Sequence, residues 1–204
     1  MMRLKKSSLL IGLLVSASLC GQGALKDTTV VDYFNDGKPK EISTYNGLGQ
    51  FEGPRMFFRR SGSITKLEHY KGGKLNGKAI KISNRGTILE EANYRNGQLE
   101  GEFKKFSGTG SKQEFSNFKD GQRDGKTVWY YSNGNMNTEM NYVMGSLEGE
   151  AKTYYENGAV RSIFQHEDNQ KNGVFQSFYE SGKIEIEGEY KDDLKHGKWL
   201  HYSE

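Results

Sequence analysis

Large apolar and aromatic side chains recur along this chain every 24 residues, in step with glycine. One glycine series runs Gly53, Gly77, Gly101, Gly125, Gly149, Gly173 and Gly197. A second lies nine residues behind it, at Gly62, Gly86, Gly110, Gly134, Gly158 and Gly182. A third occupies Gly49, Gly73, Gly97, Gly121 and Gly145, then gives way to Asn169 and Asp193. With the first glycine as position 0, position 5 carries Phe58, Ile82, Phe106, Tyr130, Tyr154, Phe178 and Tyr202. Position 17 carries Tyr70, Tyr94, Phe118, Tyr142, His166 and Tyr190. Upstream, Tyr33, Gly37 and Tyr45 repeat the same spacing, with one extra residue before Gly49.

Each unit predicts a β-hairpin. About six residues form the outgoing strand, three make a turn ending in the second glycine, about eight return, and a six-residue connector such as Lys71 to Asn76 leads on. A two-residue type I′ turn needs positive φ at both central positions. The residue before the turn glycine is Ser61, Arg85, Thr109, Asn133, Asn157 or Ser181, and Arg or β-branched Thr fits that requirement poorly. A three-residue loop with glycine alone left-handed suits all six. If the residue before this loop faces the residue after it, positions 5, 11 and 17 fall on one face. Position 16 (His69, Asn93, Asn117, Asn141, Gln165, Glu189) then forms a polar column on the other.

The predicted fold is all-β, an elongated single-layer antiparallel sheet of tandem hairpins, roughly 60–70 Å long at ~4.8 Å per strand. A degenerate first unit spans 28–52, six full units 53–196 and a half unit 197–204. Its core is a stripe of aromatics covered by connector anchors such as Leu75, Leu99 and Leu147.

The spacing G-K-x-x-W-Y-Y-x-N-G from Gly125 to Gly134, and G-E-x-x-x-Y-Y-x-N-G from Gly149 to Gly158, resembles the MORN repeat in its bacterial variant. The C-terminal Gly197 to Tyr202 is similar to the opening half of one more unit. The YwqK-type antitoxin family of MORN-variant proteins is the named family it resembles, over roughly residues 28–204. That resemblance implies a hairpin array that binds rather than catalyses, with a toxin as partner. An export leader departs from it, because a cytosolic antitoxin has no use for one.

Such a leader is what the N-terminus predicts. Arg3, Lys5 and Lys6 precede an apolar run from Leu9 to Val15 and a small-residue zone from Ser16 to Gly23, giving an export signal over 1–23 and a repeat domain over 24–204. The run is far shorter than the ~20 residues of a membrane span. Two endings are open: cleavage before Gly21, with Ser18 and Cys20 at −3 and −1, or lipidation of Cys20 in the lipobox-like Ala17-Ser18-Leu19-Cys20, where Leu19 is larger than that motif wants. The exported protein then resides in the periplasm or outside the cell, or is anchored to the envelope.

Composition narrows the chemistry. Twenty-six glycines, 25 aromatics and two prolines over 204 residues suit neither a disordered chain nor collagen. Cys20 is the single cysteine, which excludes an internal disulfide framework. The first 20 residues carry three of the 29 basic side chains and none of the 26 acidic ones, leaving 29 − 3 = 26 against 26. A net charge of zero gives no general pull toward nucleic acid or anionic lipid.

Gly121 to Thr127 resembles a Walker A loop but is one residue short, and Gly72 to Ala79 has the spacing but ends in Ala. Both lie between hairpins, where no helix follows to cradle phosphate. His166 reads as a substitute for the core Tyr, and His196 and His201 as unpaired for a metal. The expectation is therefore a non-enzymatic protein with no cofactor and no metal.

Binding is the better candidate. Position 6 carries Tyr131, Tyr155 and Tyr179 in successive units, with Trp129, Phe175 and Trp199 nearby, and Tyr and Trp dominate interface hot spots. These six form a candidate docking strip for a protein partner, set against the alternative that they shield backbone. The strand ending near Glu204 offers a free edge for weak self-association or for an added partner strand. The leading expectation is an exported protein-binding module, with toxin neutralisation its finer form. The alternative is a structural or peripheral-membrane scaffold of the bacterial envelope, for which lipidated Cys20 would be the membrane link.

Overall fold

The computed structural model describes residues 26–204, so the leader and Cys20 lie outside the described residues. The chain forms one open antiparallel sheet of eighteen strand segments, with no helix among the described residues. Pairing follows chain order: Thr28–Tyr33 pairs with Pro39–Tyr45, which pairs with Phe51–Phe58, and so on to Leu194–His201 against Ile184–Lys191. Three two-residue segments, Lys74–Leu75, Ser146–Leu147 and Gln170–Lys171, open strands that resume at Gly77, Gly149 and Gly173.

The turns are the expected three-residue loops. The Gly62 N–H donates to the Arg59 carbonyl (2.8 Å) and the Arg59 N–H to the Ser63 carbonyl (2.9 Å), and within the loop only Gly62 is left-handed, at φ +86°. The same pair of bonds closes the turn at Tyr155 and Gly158. The connectors differ from expectation, being tight hairpin turns themselves. Asn96 and Gly97 (φ 51° and 88°), or Asp192 and Asp193 (50° and 65°), form two-residue type I′ corners. Asn and Asp tolerate the left-handed region through local hydrogen bonding, which explains why the third glycine series is allowed to lapse.

One expectation is overturned. In the second unit Gly53 pairs with Tyr70 and Phe57 with Lys66, but Phe58 pairs with Ile64, so one extra residue, Thr65, is bulged. The same shift follows the turn of each unit from Tyr33 to Phe178, whereas the first connector, Asn46 to Gln50, is itself a three-residue loop followed by a two-residue shift between Tyr45–Phe51 and Ser43–Arg55. A bulge moves the strand beyond it by one residue, which exchanges its faces. Positions 5 and 11 therefore share a face with positions 3, 14 and 16, while position 17 joins positions 2, 4 and 15 on the other. The aromatics do not form one stripe, and the polar column lies on the same face as Phe58 and Tyr154 rather than opposite them. Each face is apolar over half its width.

With one layer there is almost no interior. The buried apolar side chains among the described residues are Ala92, Val128, Ala151 and Tyr154. Side chains clasping the neighbouring unit's backbone supply much of the order. The position-16 amides of Asn93, Asn117 and Asn141 donate to the carbonyls of Glu102, Lys126 and Glu150 at 3.1–3.2 Å. Carboxylates of Glu52, Glu100, Asp124 and Glu148 accept from connector N–H groups of Gly72, Asp120, Met144 and Asp168 at 2.8–3.0 Å. These bonds fall where the ladder is interrupted, so they satisfy backbone groups that would otherwise depend on water.

The hydroxyl of Tyr155, donated to the Phe178 carbonyl at 2.8 Å, spans two successive turns. Tyr155→Phe is expected to lower unfolding stability by about 1 kcal/mol in urea titrations. An unchanged midpoint would mean that this hydroxyl does not hold the turns together.

Candidate binding surface

The six residues of the candidate strip are divided by the structure into two groups. Tyr131, Tyr155 and Tyr179 line the turn edge, half-buried, and donate to the carbonyls of Tyr154, Phe178 and Tyr202 at 2.7–2.8 Å. Their hydroxyls are thus committed to the array. Arg59 holds the same position in the second unit and reaches the carbonyls of Ser83 (3.0 Å) and Ile82 (3.3 Å). Trp129, Phe175 and Trp199 sit instead on the face shared by positions 2, 4, 15 and 17.

That face carries the aromatic surface. At its C-terminal end Phe175 stacks on Trp199 (centroids 5.4 Å, 29° between planes), and Tyr190 meets both edge-on at 5.7 and 5.1 Å. Phe164 extends the cluster, 5.0 Å from Phe175 and 6.1 Å from His166. Gly188 makes this packing feasible. A Cβ there would lie 2.4 Å from Trp199 Cδ2, so the indole rests on bare backbone. Gly188 belongs to none of the three glycine series and has no positive φ. As an off-register glycine it was the one sequence signal of this contact.

Cations lie over the rings. Arg123 is 5.4 Å from the Phe118 ring, 5.7 Å from Trp129 and 6.0 Å from Tyr142, and its Nη2 donates to Glu114 at 2.6 Å. Lys171 sits 4.8 Å over Phe164 and 5.1 Å over Tyr190, and Lys195 4.2 Å over Trp199. These three occupy the connector column that elsewhere holds Leu75, Leu99 and Leu147, each paired with the Tyr of position 17. A long cationic stem thus covers the rings as leucine does, with its charge left at the surface. The sequence reading named only the leucines of this column.

Near the N-terminal end, Arg55 lies 4.1 Å over Phe51 and donates Nε to Glu41 at 2.8 Å. Burial works to raise the Glu41 carboxyl, but hydrogen bonds from Arg55 and Ser43 and the Arg55 charge hold it below its ordinary range. Burial, with Lys171 nearby, holds the His166 imidazole below its ordinary value. A neutral ring is what the place of a core Tyr requires.

His69 Nδ1 is 2.8 Å from the Lys78 carbonyl, a structural contact. Among the described residues no group of three or more His, Cys, Asp or Glu is placed to hold a metal ion. The Walker-like Gly121 is a type I′ corner followed by the strand Gln122–Tyr130, and its N–H is spent on the Leu99 carbonyl at 2.9 Å.

Residues 123–144, 147–168 and 171–192 match the MORN repeat variant family. No curated protein matches the chain. Among solved structures it is similar to a porin-like protein from Bacteroides uniformis, at 7% identity and TM-score 0.21, over 85% of this chain and 93% of that one. It is also similar to the TcdB2–TccC3 structure, at 9% identity and TM-score 0.19, over 86% of this chain but 14% of the other. The fold rests on the chain's own strand pairing rather than on these likenesses.

Gly188→Val tests the packing. The added side chain is expected to expel Trp199 from its seat, red-shift its emission in a Trp129→Phe background and cost about 1–3 kcal/mol. Unchanged emission would mean that the indole does not rest on Gly188.

Proposed function

We propose that this chain is a non-catalytic binding array that engages a protein partner on its aromatic face, centred on Phe175 and Trp199. The observation that carries this reading is the aromatic and cationic cluster at the C-terminal end of a face that no second layer covers among the described residues. Trp, Tyr and Arg dominate interface hot spots, and Trp199 and Tyr190 lie in this cluster with Arg123 farther along the same face. The hydrogen-bonded tyrosines at 131, 155 and 179 then serve as a frame, and Trp129 as a separate aromatic site beside Arg123.

Two finer proposals rest on the sequence. The resemblance to the antitoxin family supports a toxin as partner, and the leader supports export. A second mode of contact, by an added strand or a second copy along Leu194–His201, is a further proposal, supported by that strand's pairing with Ile184–Lys191 alone among the described residues. Lys195 and Lys198 keep that edge charged, which favours weak association.

A photo-crosslinking residue at position 195 on the aromatic face, or at Leu200 on the opposite face, distinguishes the surfaces in cells of the native host. The expected result is one dominant protein adduct from position 195 and little from position 200, with mass spectrometry reporting whether the partner is a toxin. The same spectra give the N-terminus, either Gly21 or a diacylated Cys20. Equal adducts from both faces, or none, would overturn the surface assignment.

A further inference from the structure

The clamps along the turn edge are interrupted at two places. Position 6 carries Arg59, Ser83, Ser107, Tyr131, Tyr155 and Tyr179, and the two serines are too short to reach the next turn. Their hydroxyls serve their own loops instead. Ser83 Oγ accepts from the N–H groups of Arg85 and Thr87 at 3.2 and 3.1 Å. Ser107 Oγ accepts from those of Thr109 and Ser111 at 3.3 and 3.1 Å and lies 2.7 Å from Thr109 Oγ1. Beyond Ser83 the gap is closed by Thr87, whose methyl would be 3.4 Å from a Cβ at Gly110.

Beyond Ser107 the gap stays open. A notch of about 200 Å³ lies there between successive turns, lined by Ser107, Thr109, Ser111, Gln113, Tyr131 and Ser132. Lys112 and Tyr130 are shared with an adjoining hollow of about 60 Å³, which adds Phe106 and Phe115 together with Lys104 and Glu114. The site therefore joins hydroxyls and a carboxamide to aromatic side chains, and its two further charged residues are already paired, Lys104 with Glu102 at 2.7 Å and Glu114 with Arg123 at 2.6 Å.

We propose that this notch binds one ring of a neutral saccharide. Ser107 Oγ is engaged by its own loop, so the Ser111 and Ser132 hydroxyls, which both donate and accept as sugar hydroxyls do, and the Gln113 amide, which offers each role on separate atoms, supply the polar contacts. The rings of Tyr130 and Phe106 offer apolar surface to the C–H face of a pyranose, and a few polar groups beside apolar walls is the usual make-up of a small-molecule site. An anion is served less well. The loop N–H groups that would cradle it are spent, Gly110 on the Ser107 carbonyl (3.0 Å) and Ser107 on the Ser111 carbonyl (2.8 Å). Of the site's two lysines, Lys112 stands 5.8 Å over the Tyr130 ring and Lys104 donates to Glu102 at 2.7 Å. The aromatic face is a separate surface, so this inference stands or falls independently of the partner-binding reading.

The test is a nitrogen-15 NMR titration of the full chain with methyl β-glucoside, with N,N′-diacetylchitobiose and with inorganic phosphate. The expected result is saturable shifts from at least one saccharide, confined to residues 107–113 and 130–132, and none from phosphate. Ser107→Tyr rebuilds the missing clamp and fills the notch, so it should weaken saccharide binding at least about tenfold while leaving thermal stability equal or higher. Gln113→Ala, at an exposed position, is the second variant should the tyrosine disturb folding, and it should weaken the same shifts. No shift with either sugar, shifts from phosphate alone, or binding unaltered in both variants would overturn the proposal.

Discussion

The bulge that follows the turn of each unit is the constraint from which the rest of this structure follows. Without it, positions 5, 11 and 17 would line one face, and a single sheet would expose a full-width apolar stripe on that side. Such a sheet demands a second layer. The extra residue at Thr65 and its equivalents divides the load, placing the turn-side apolar columns on one face and the connector-side aromatics on the other. Each half-stripe is narrow enough to be covered by its neighbours' long side chains. Lysine and arginine stems over Phe118, Phe164 and Trp199 do this while their charges remain in water.

A one-layer sheet also changes what holds units together. Few side chains are buried, so area alone contributes modestly, and side-chain bonds to the neighbouring backbone share the work. The Asn column, the connector carboxylates and the tyrosine clamps all join a unit to the next one along. Stability in such an array is expected to be near-additive between neighbours. The same dependence on the next unit gives the serines at 83 and 107 their significance, since a clamp omitted from a periodic ladder leaves a gap with a defined lining.

Much of the fold was legible in the sequence. Glycines at fixed spacing marked left-handed positions, and the residues before them, Arg85 and Thr109 above all, excluded the two-residue turn at that end of the hairpin. The bulge was not legible. Its extra residue is Thr65, Leu89, Gln113, Asn137, Arg161 or Glu185, with no shared chemistry and no need of glycine, so periodicity is blind to it. The type I′ corners were half visible in Asn96, Asp120 and Asp168. Met144, at φ +47°, is less typical, and the Asp124 carboxylate accepts its N–H at 3.0 Å. Of the candidate surface, the aromatics were visible but their faces were not, because every face assignment passed through the bulge.

Strand register in one hairpin tests this account most directly. Interstrand backbone nuclear Overhauser contacts of Val128, in the outgoing strand Gln122–Tyr130, report which residue of Met136–Val143 lies opposite. The bulged register predicts Glu139 opposite Val128. Contacts to Thr138 instead would mean an unbulged hairpin, returning Tyr130 and Tyr142 to one face and contradicting the division on which the binding surface rests.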